Sequence, residues 1–499
     1  MNTDTATNPY VPTHTIPLPA RGRGTGVLAV ALAIAAVAIV AAILFGGFDR
    51  AVVGVLSIIL LLVLMGLTIP IGIAMVVSST VGLIAMTGYA GAELSVKGIL
   101  FEGVSQWGLV VIPLFVIMGV ALGRAGVTAR AYRAAGLWTN RVPGGLSMAT
   151  VLSGGVLATT SGSTIAMSYT LGRMALPEMF RAGYKPSLAT SSVAMAGTLG
   201  QVFPPSILMV IYASIAEVPV GQQLIAGIVP GLLLLASFLI VVLVWASIYK
   251  EDAPSLARSE VTWSARWRSL TGLIPIVIIV LVVTGGLFAG LFTATEAAAF
   301  GAITAMIVGW VALGRGKRGV RSGISFVGTT LFDSVKAIAS LFLVIVGALL
   351  ITRMMGVSGL TQGLGQWLIG LDLEPFWFLV LLIAVYIFLG MFLESLPMIL
   401  LTVPLLALPL REAGIDPIWF GVFLVIMCEI GMVFPPVGLL TFIVHRVAQG
   451  PAKQLGIKVP LVAVFKGIMP FVAAAIVVTI LIIIWPEIVL WLPQVSSAQ

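Results

Sequence analysis

Long apolar runs separated by short polar segments cover almost the whole chain. A helix that crosses a bilayer needs about 20 apolar residues. The pattern predicts spans at 27–46, 52–68, 70–87, 105–124, 187–216, 220–249, 271–289, 294–313, 326–355, 418–449 and 460–490. Two further apolar stretches, 144–176 and 375–411, are too long for one span and carry small or polar residues at their centres. Each is expected to form a re-entrant helical hairpin that returns to the side it entered. Such broken backbone is tolerated at membrane depth only inside protein or beside a wet cavity. Segments near 127–141 and 356–372 read as short amphipathic arms. The run 27–46 follows Arg21 and Arg23, as a signal peptide would, but it exceeds the usual signal core of about 7–15 residues and is expected to be a retained helix.

Composition narrows the class. Of 499 residues, 60% are hydrophobic and 9% charged, against about a quarter charged in a soluble domain. A soluble enzyme, a nucleic-acid binder and a disordered scaffold are excluded. The 55 glycines and 27 prolines fall within apolar stretches, which favours a transporter over a plain helical bundle. The net charge of +8 becomes informative when it is distributed. With the N-terminus inside and both hairpins returning, 21 Lys and Arg fall inside, and Arg50, Lys97, Arg353 and Arg411 fall outside. That bias fits the positive-inside rule and places the C-terminus outside. The single Cys428 allows no intrachain disulfide, and two histidines leave little for a metal or haem site. No P-loop is present, so no ATP hydrolysis is expected.

The chain repeats itself. Gly200-Gln201-Val202-Phe203-Pro204-Pro205 returns as Gly431-Met432-Val433-Phe434-Pro435-Pro436, 231 residues later. Nearly the same offset aligns Gly119 with Gly347, Gly126-Val127 with Gly356-Val357, Trp138 with Trp367, and one hairpin with the other. Each half reads as span, arm, hairpin, Pro-Pro-broken span, span. The charge count puts the first arm inside and the second outside, so the halves are inverted. Inverted repeats characterise many secondary transporters, with the site at the repeat interface. The expected fold is therefore an all-α polytopic membrane protein of two inverted-topology repeats. A cytoplasmic tail (1–26) and an extra helix (27–46) come first. The repeats occupy 52–249 and 271–490, joined by a cytoplasmic linker at 250–270.

Candidate chemistry collects at the tips and breaks. The run Ala158-Thr159-Thr160-Ser161-Gly162-Ser163-Thr164 carries five hydroxyl residues within an apolar stretch. At a hairpin tip, hydroxyls and free helix-end carbonyls are hard oxygen ligands for a small cation, and helix N-termini favour an anion. The structural alternative is close helix packing by small residues. Consecutive prolines open a helix and free its carbonyls; Gly197-Thr198-Leu199-Gly200 precedes one break and Glu429-Ile430-Gly431 the other. A simple kink is the alternative at each. Glu394 and Glu429 are ionisable at depth, and so are candidates for function or for a structural hydrogen bond. Glu296 reads as a helix-start residue capped by Thr293 or Thr295, and Asp333 as a same-face partner of Lys336.

At this point the residues resemble a known family. Gly172-Arg173-Met174-Ala175-Leu176-Pro177-Glu178-Met179, Gly183-Tyr184, Pro204-Pro205-Ser206-Ile207, Ala226-Gly227-Ile228-Val229-Pro230-Gly231, Gly390-Met391-Phe392-Leu393-Glu394, Gly414-Ile415-Asp416-Pro417 and Pro435-Pro436-Val437-Gly438 look like the large permease subunit (DctM family) of TRAP, or tripartite ATP-independent periplasmic, transporters. The resemblance runs over about 52–490. It implies an elevator-type, Na+-coupled importer of organic acids such as C4-dicarboxylates, sited in the inner membrane, with no cofactor. It implies two partners, a small four-helix membrane subunit and a periplasmic substrate-binding protein. Carried over by position, one Na+ site would use Ser161, Gly162, Ser163, Gly197 and Thr198, and a second Glu394, Ser395, Glu429 and Gly431. Substrate would lie near Thr160, Pro204, Pro205, Ser206, Pro435, Pro436 and Val437. Three positions depart from the family pattern: Phe434 stands where Thr is usual, Met427 where Asn is usual, and Ala294 where Pro is common. A stand-alone carboxylate symporter of related fold is the alternative, with a channel or scaffold behind it. No nucleophile–base pair or zinc motif points to an enzyme. The helix 27–46 lies outside the usual core and is expected to add contact with the small subunit. Deleting 1–47 should weaken co-purification of that subunit, and unchanged co-purification would discard the idea.

Overall fold

Backbone groups in hydrocarbon must find their partners within the protein, and every regular element among the described residues is helical. The computed structural model describes residues 23–103, 105, 107–161, 163–254, 262–312 and 319–497. The expected tail up to 22, part of the linker and Gly162 lie outside them. In order, the helices are α1 (Arg23–Phe45), α2 (Arg50–Gly66), α3 (Ile71–Gly98), α4 (Val111–Arg124), α5 (Val127–Thr139), α6 (Gly145–Ser161), α7 (Thr164–Arg181) and α8 (Pro186–Thr198). Then come α9 (Ile207–Ile215), α10 (Val220–Ala226), α11 (Ile228–Ile248), α12 (Trp263–Leu270), α13 (Ile274–Val280), α14 (Gly286–Phe288), α15 (Ala294–Ala312) and α16 (Val320–Ser358). The last are α17 (Leu360–Gly370), α18 (Pro375–Gly390), α19 (Ser395–Glu412), α20 (Pro417–Val433), α21 (Leu439–Gln454), α22 (Leu461–Ile484) and α23 (Glu487–Ser497).

Seven helical segments among the described residues are long and apolar enough to cross a membrane, or eight if the bent pair α4–α5 is one span. The pair bends by 63° at Gly126, whose φ of 68° suits glycine. Several expected spans are shorter than the pattern indicated. The segment 187–216 is α8 and α9 on either side of the first Pro-Pro, and 418–449 is α20 and α21 around the second. The span expected over 460–490 ends at Ile484, because Pro486 removes a donor and holds Trp485 out of helical geometry. Conversely, α3 continues beyond residue 87 across a non-helical Gly88. Both expected hairpins do break at their centres. The return arm α19 is, at 18 residues, itself long enough to count as a span.

The chain divides into two compact units. The smaller comprises Met1–Ser105 and Ser340–Gly363. There α2, α3 and the end of α16 pack through glycines: a Cβ at Gly347 would lie 2.8 Å from Met75 Cβ and 2.9 Å from the Gly72 carbonyl oxygen. The larger comprises Gln106–Ala339 and Leu364–Gln499 and holds both stretches expected to form hairpins and both Pro-Pro steps. In it α4 packs along α15, α6 and α7 along α8, α18 along α20, and α8 and α11 along α22. Arg124 of α4 reaches Asp333 of α16, its Nε donating to Oδ2 at 3.0 Å. Lys336 instead places its Nζ 4.5 Å above the Phe332 ring. The expected Asp333–Lys336 pair therefore does not form: the arginine fork meets the carboxylate from a neighbouring helix. Glu296 forms the expected helix start, accepting from Thr293 N at 2.8 Å while Thr293 Oγ1 accepts from Glu296 N at 3.3 Å.

Local geometry recurs at the sequence offset. The return arms α7 and α19 end alike, with Tyr184 N donating to Met179 O at 2.9 Å and Ile415 N to Leu410 O at 3.0 Å, each around a positive-φ glycine, Gly183 or Gly414. Both are glycine C-caps of the Schellman kind. Pro186 and Pro417 then start α8 and α20, and the Pro204–Pro205 and Pro435–Pro436 bonds are both cis. Each hairpin's first arm lies against the following broken helix without room for a side chain. A Cβ at Gly154 would meet Ala196 Cβ at 2.7 Å, and one at Gly390 would meet Gly431 Cα at 2.6 Å. Gly390→Ala should therefore cost about 1–3 kcal/mol of overpacking, whereas Gly363→Ala, with nothing within 4 Å of its Cβ, should cost none. Thermal unfolding of the detergent-purified chain measures both.

Candidate functional site

A buried carboxylate organises the larger unit. Glu429 lies in the last turns of α20, 3% exposed. Its Oε2 accepts a hydrogen bond from Thr164 Oγ1 at 2.8 Å, and its Oε1 accepts one from Ser395 Oγ at 3.0 Å. Thr164 and Ser395 are 4% and 5% exposed. They are the first residues of α7 and α19, the two return arms. Their separation in sequence is again 231. Two helix N-termini thus begin at one carboxyl group, and their partial positive charge and the two hydroxyl donors are the polar partners it has in place of water. No cationic side chain pairs with Glu429 among the described residues.

The residues singled out from sequence fall around this point in different states. Ser163 is the N-cap of α7, its Oγ accepting from Ala166 N at 3.3 Å. Glu394 holds the same position before α19, makes no capping hydrogen bond and is exposed. Ser161 ends α6 and Thr160 precedes it; their side chains, like all of Gly162, lie outside the described residues. Gly197 is buried in α8 against α7: a Cβ there would run into Ser168 Oγ and lie 3.2 Å from the Thr164 carbonyl oxygen. Ser168 Oγ is buried without a hydrogen-bond partner among the described residues. Thr198 closes α8 and donates to Met195 O at 2.8 Å. Gly431 packs on Gly390 and on the Tyr386 carbonyl oxygen, 2.8 Å from its would-be Cβ.

The two breaks differ. Pro204 and Pro205 are buried, and Ser206 spends its hydroxyl on capping α9, accepting from Met209 N at 3.2 Å. Pro435 and Val437 are half-buried and Pro436 is exposed. There Gly438, at φ 54°, starts α21 with no side-chain cap, and Thr441 Oγ1 donates to the freed Val433 carbonyl at 3.0 Å. Phe434 forms the C-cap of α20, and Met427 is fully buried two residues before Glu429.

The structure thus joins Ser395 and Glu429 directly and brings the first tip to them through Thr164. Thr164 stands in the hydroxyl run but was not singled out from it; only its place at the start of α7 separates it from its neighbours. Ser395 Oγ also lies 3.0 Å from Met432 Sδ. Chemically, a carboxylate with two hydroxyl oxygens offers hard ligands to a cation and repels a bare anion. Gly197→Ala should push α7 from α8 and lower transport about tenfold or more, in keeping with about 1–3 kcal/mol of overpacking. Adding Ser168→Gly should recover part of the loss. An unimpaired Gly197→Ala, read by uptake and melting together, would contradict this contact.

Comparison with known proteins follows the same outline. The family profile described as "Tripartite ATP-independent periplasmic transporter, DctM component" matches residues 58–488. The C4-dicarboxylate TRAP transporter large permease protein DctM of Pseudomonas aeruginosa is 33% identical over 403 residues, covering 81% of this chain and 89% of that protein. The protein of the same name from Rhodobacter capsulatus is 31% identical over 453 residues, covering 87% and 97%. Among solved structures, the YdaH transporter of Alcanivorax borkumensis superposes with a TM-score of 0.58 over 81% of this chain and 90% of that one, at 15% identity, a likeness of fold alone.

Proposed function

The chain belongs to the family of the DctM component of tripartite ATP-independent periplasmic transporters, and on that premise we propose that it imports an organic acid, a C4-dicarboxylate or a related carboxylate, by coupling to Na+. It is a multi-pass membrane protein and a TRAP large permease subunit. In this reading it sits in the inner membrane, with its N-terminus cytoplasmic and its C-terminus periplasmic, as the distribution of Lys and Arg favours. It works with a small four-helix membrane subunit and receives substrate from a periplasmic binding protein.

The observation that carries the reading is Glu429 at the start of both return arms, buried and without a cationic side chain among the described residues. An ionisable group at membrane depth calls for a partner, and a transported cation supplies one. Ser161, Gly162, Ser163, Gly197 and Thr198 form one Na+ site in this proposal, and Glu394, Ser395, Glu429 and Gly431 the second. Thr160 and the residues of the two breaks, Pro204, Pro205, Ser206, Pro435, Pro436 and Val437, flank the substrate. Na+ bound at the tips offsets the negative charge of Glu429 and Glu394, so an anionic substrate binds after the cations rather than before them. Tips and broken helices then carry both across as one elevator-like body.

The test is uptake in proteoliposomes holding the chain and its small subunit, supplied with binding protein loaded from a panel of organic acids. Uptake should require both an inward Na+ gradient and the binding protein. Ser163→Ala and Glu394→Ala should each raise the Na+ concentration for half-maximal uptake about tenfold, a coupling of ordinary size. Uptake indifferent to Na+ would remove the coupling ion, and uptake without any binding protein would favour a stand-alone symporter.

A further inference from the structure

We propose that Glu429, beyond its place in the second ion site, fastens the two hairpin tips to each other through Thr164 and Ser395, so that an ion bound at one tip is felt at the other. The inference deepens the Na+-coupled reading and rests on it only for the identity of the ion.

Thr164 and Ser395 are not neighbours in sequence; they correspond at the repeat offset of 231 and open the two return arms. Each donates its hydroxyl to a different oxygen of the same carboxylate, at 2.8 and 3.0 Å. Lengthening the Thr164 bond by about 0.4 Å, or the Ser395 bond by about 0.2 Å, would carry it past the usual limit of about 3.2 Å. The residue immediately before each donor, Ser163 or Glu394, is the N-cap and belongs to a proposed ion site. Movement at a cap therefore moves the donor beside it, and through the carboxylate the opposite tip.

The repeat makes the arrangement one-sided. The position equivalent to Glu429 is Thr198, whose hydroxyl goes to its own helix at Met195 O. The equivalent position in the first repeat thus carries no carboxylate, and the tie through Glu429 has no counterpart there. All three side chains are almost wholly buried, so water does not compete for these bonds, and low local polarity strengthens them. Energetic coupling between two sites needs such a shared element whose state both sites bias.

Two measurements test the tie on the full chain with its small subunit. The first is a double-mutant cycle in thermal unfolding without Na+, using Thr164→Val, Ser395→Ala and the pair. Removing one donor leaves Glu429 with the other, and removing both leaves it bare. The loss in Tm for the pair should therefore exceed the sum of the single losses, by about 2 °C or more. Additive losses would overturn the proposal. The second is the Na+ dependence of uptake, which a purely structural role would not reshape. A wild-type Hill coefficient above 1 should fall to about 1 in Thr164→Val and return in Thr164→Ser, which restores the hydroxyl. Retained cooperativity in Thr164→Val would also overturn it. Should wild-type uptake ignore Na+, the coupling-ion reading fails by itself, and the thermal cycle still decides whether the tips are tied.

Discussion

An ionisable side chain buried at the start of two helices is the constraint to which the rest of the larger unit answers. Glu429 has hydroxyl donors but no cationic partner among the described residues. Removing a carboxylate from water without a counter-charge is expensive. The fold meets that cost with the N-terminal ends of α7 and α19 and one hydroxyl from each. That solution dictates where the chain must break, because a helix N-terminus can be presented at depth only if the preceding helix stops there. The breaks in both hairpins, the residues flanking them and the close glycine contacts behind them all follow from bringing two helix starts to one point.

Glycine contacts show how the approach is made tight. Gly154 against Ala196, and Gly390 against Gly431, let the first arm of each hairpin lie on the backbone of the next broken helix. Gly197 does the same for the return arm α7, placing Ser168 and the Thr164 carbonyl against α8. Small residues at such crossings allow packing without the apolar driving force that lipid removes. The polar hydroxyls then lie where side chains from neighbouring helices converge.

Much of this was legible in the sequence because lipid makes its exceptions conspicuous. Five hydroxyl residues in an apolar stretch, two Pro-Pro steps at a fixed offset, and Glu394 and Glu429 inside apolar runs all stand out against the hydrocarbon requirement. The matched glycine caps at Gly183 and Gly414 follow from the same repeat. What the sequence did not give away was pairing across distance. Asp333 has a suitable partner three residues on, yet the nearer helix in space offers Arg124. Thr164 is one of several equivalent-looking hydroxyls, and only the direction of α7 brings it to a carboxylate 265 positions away. Helix ends set by one proline, such as Pro486 after α22, were blurred by apolar residues continuing on both sides.

The two breaks carry the same sequence element but finish it differently. One hides its prolines and closes the following helix with the hydroxyl of Ser206; the other leaves Pro436 exposed and starts its helix on Gly438, with no side chain to close it. A duplicated frame thus presents two chemically distinct faces, one sealed and one open. If substrate lies between them, as proposed, it meets a polarity along its own length. A symmetric diacid would lose the equivalence of its ends on binding, and an acid with unlike ends would have a preferred way round.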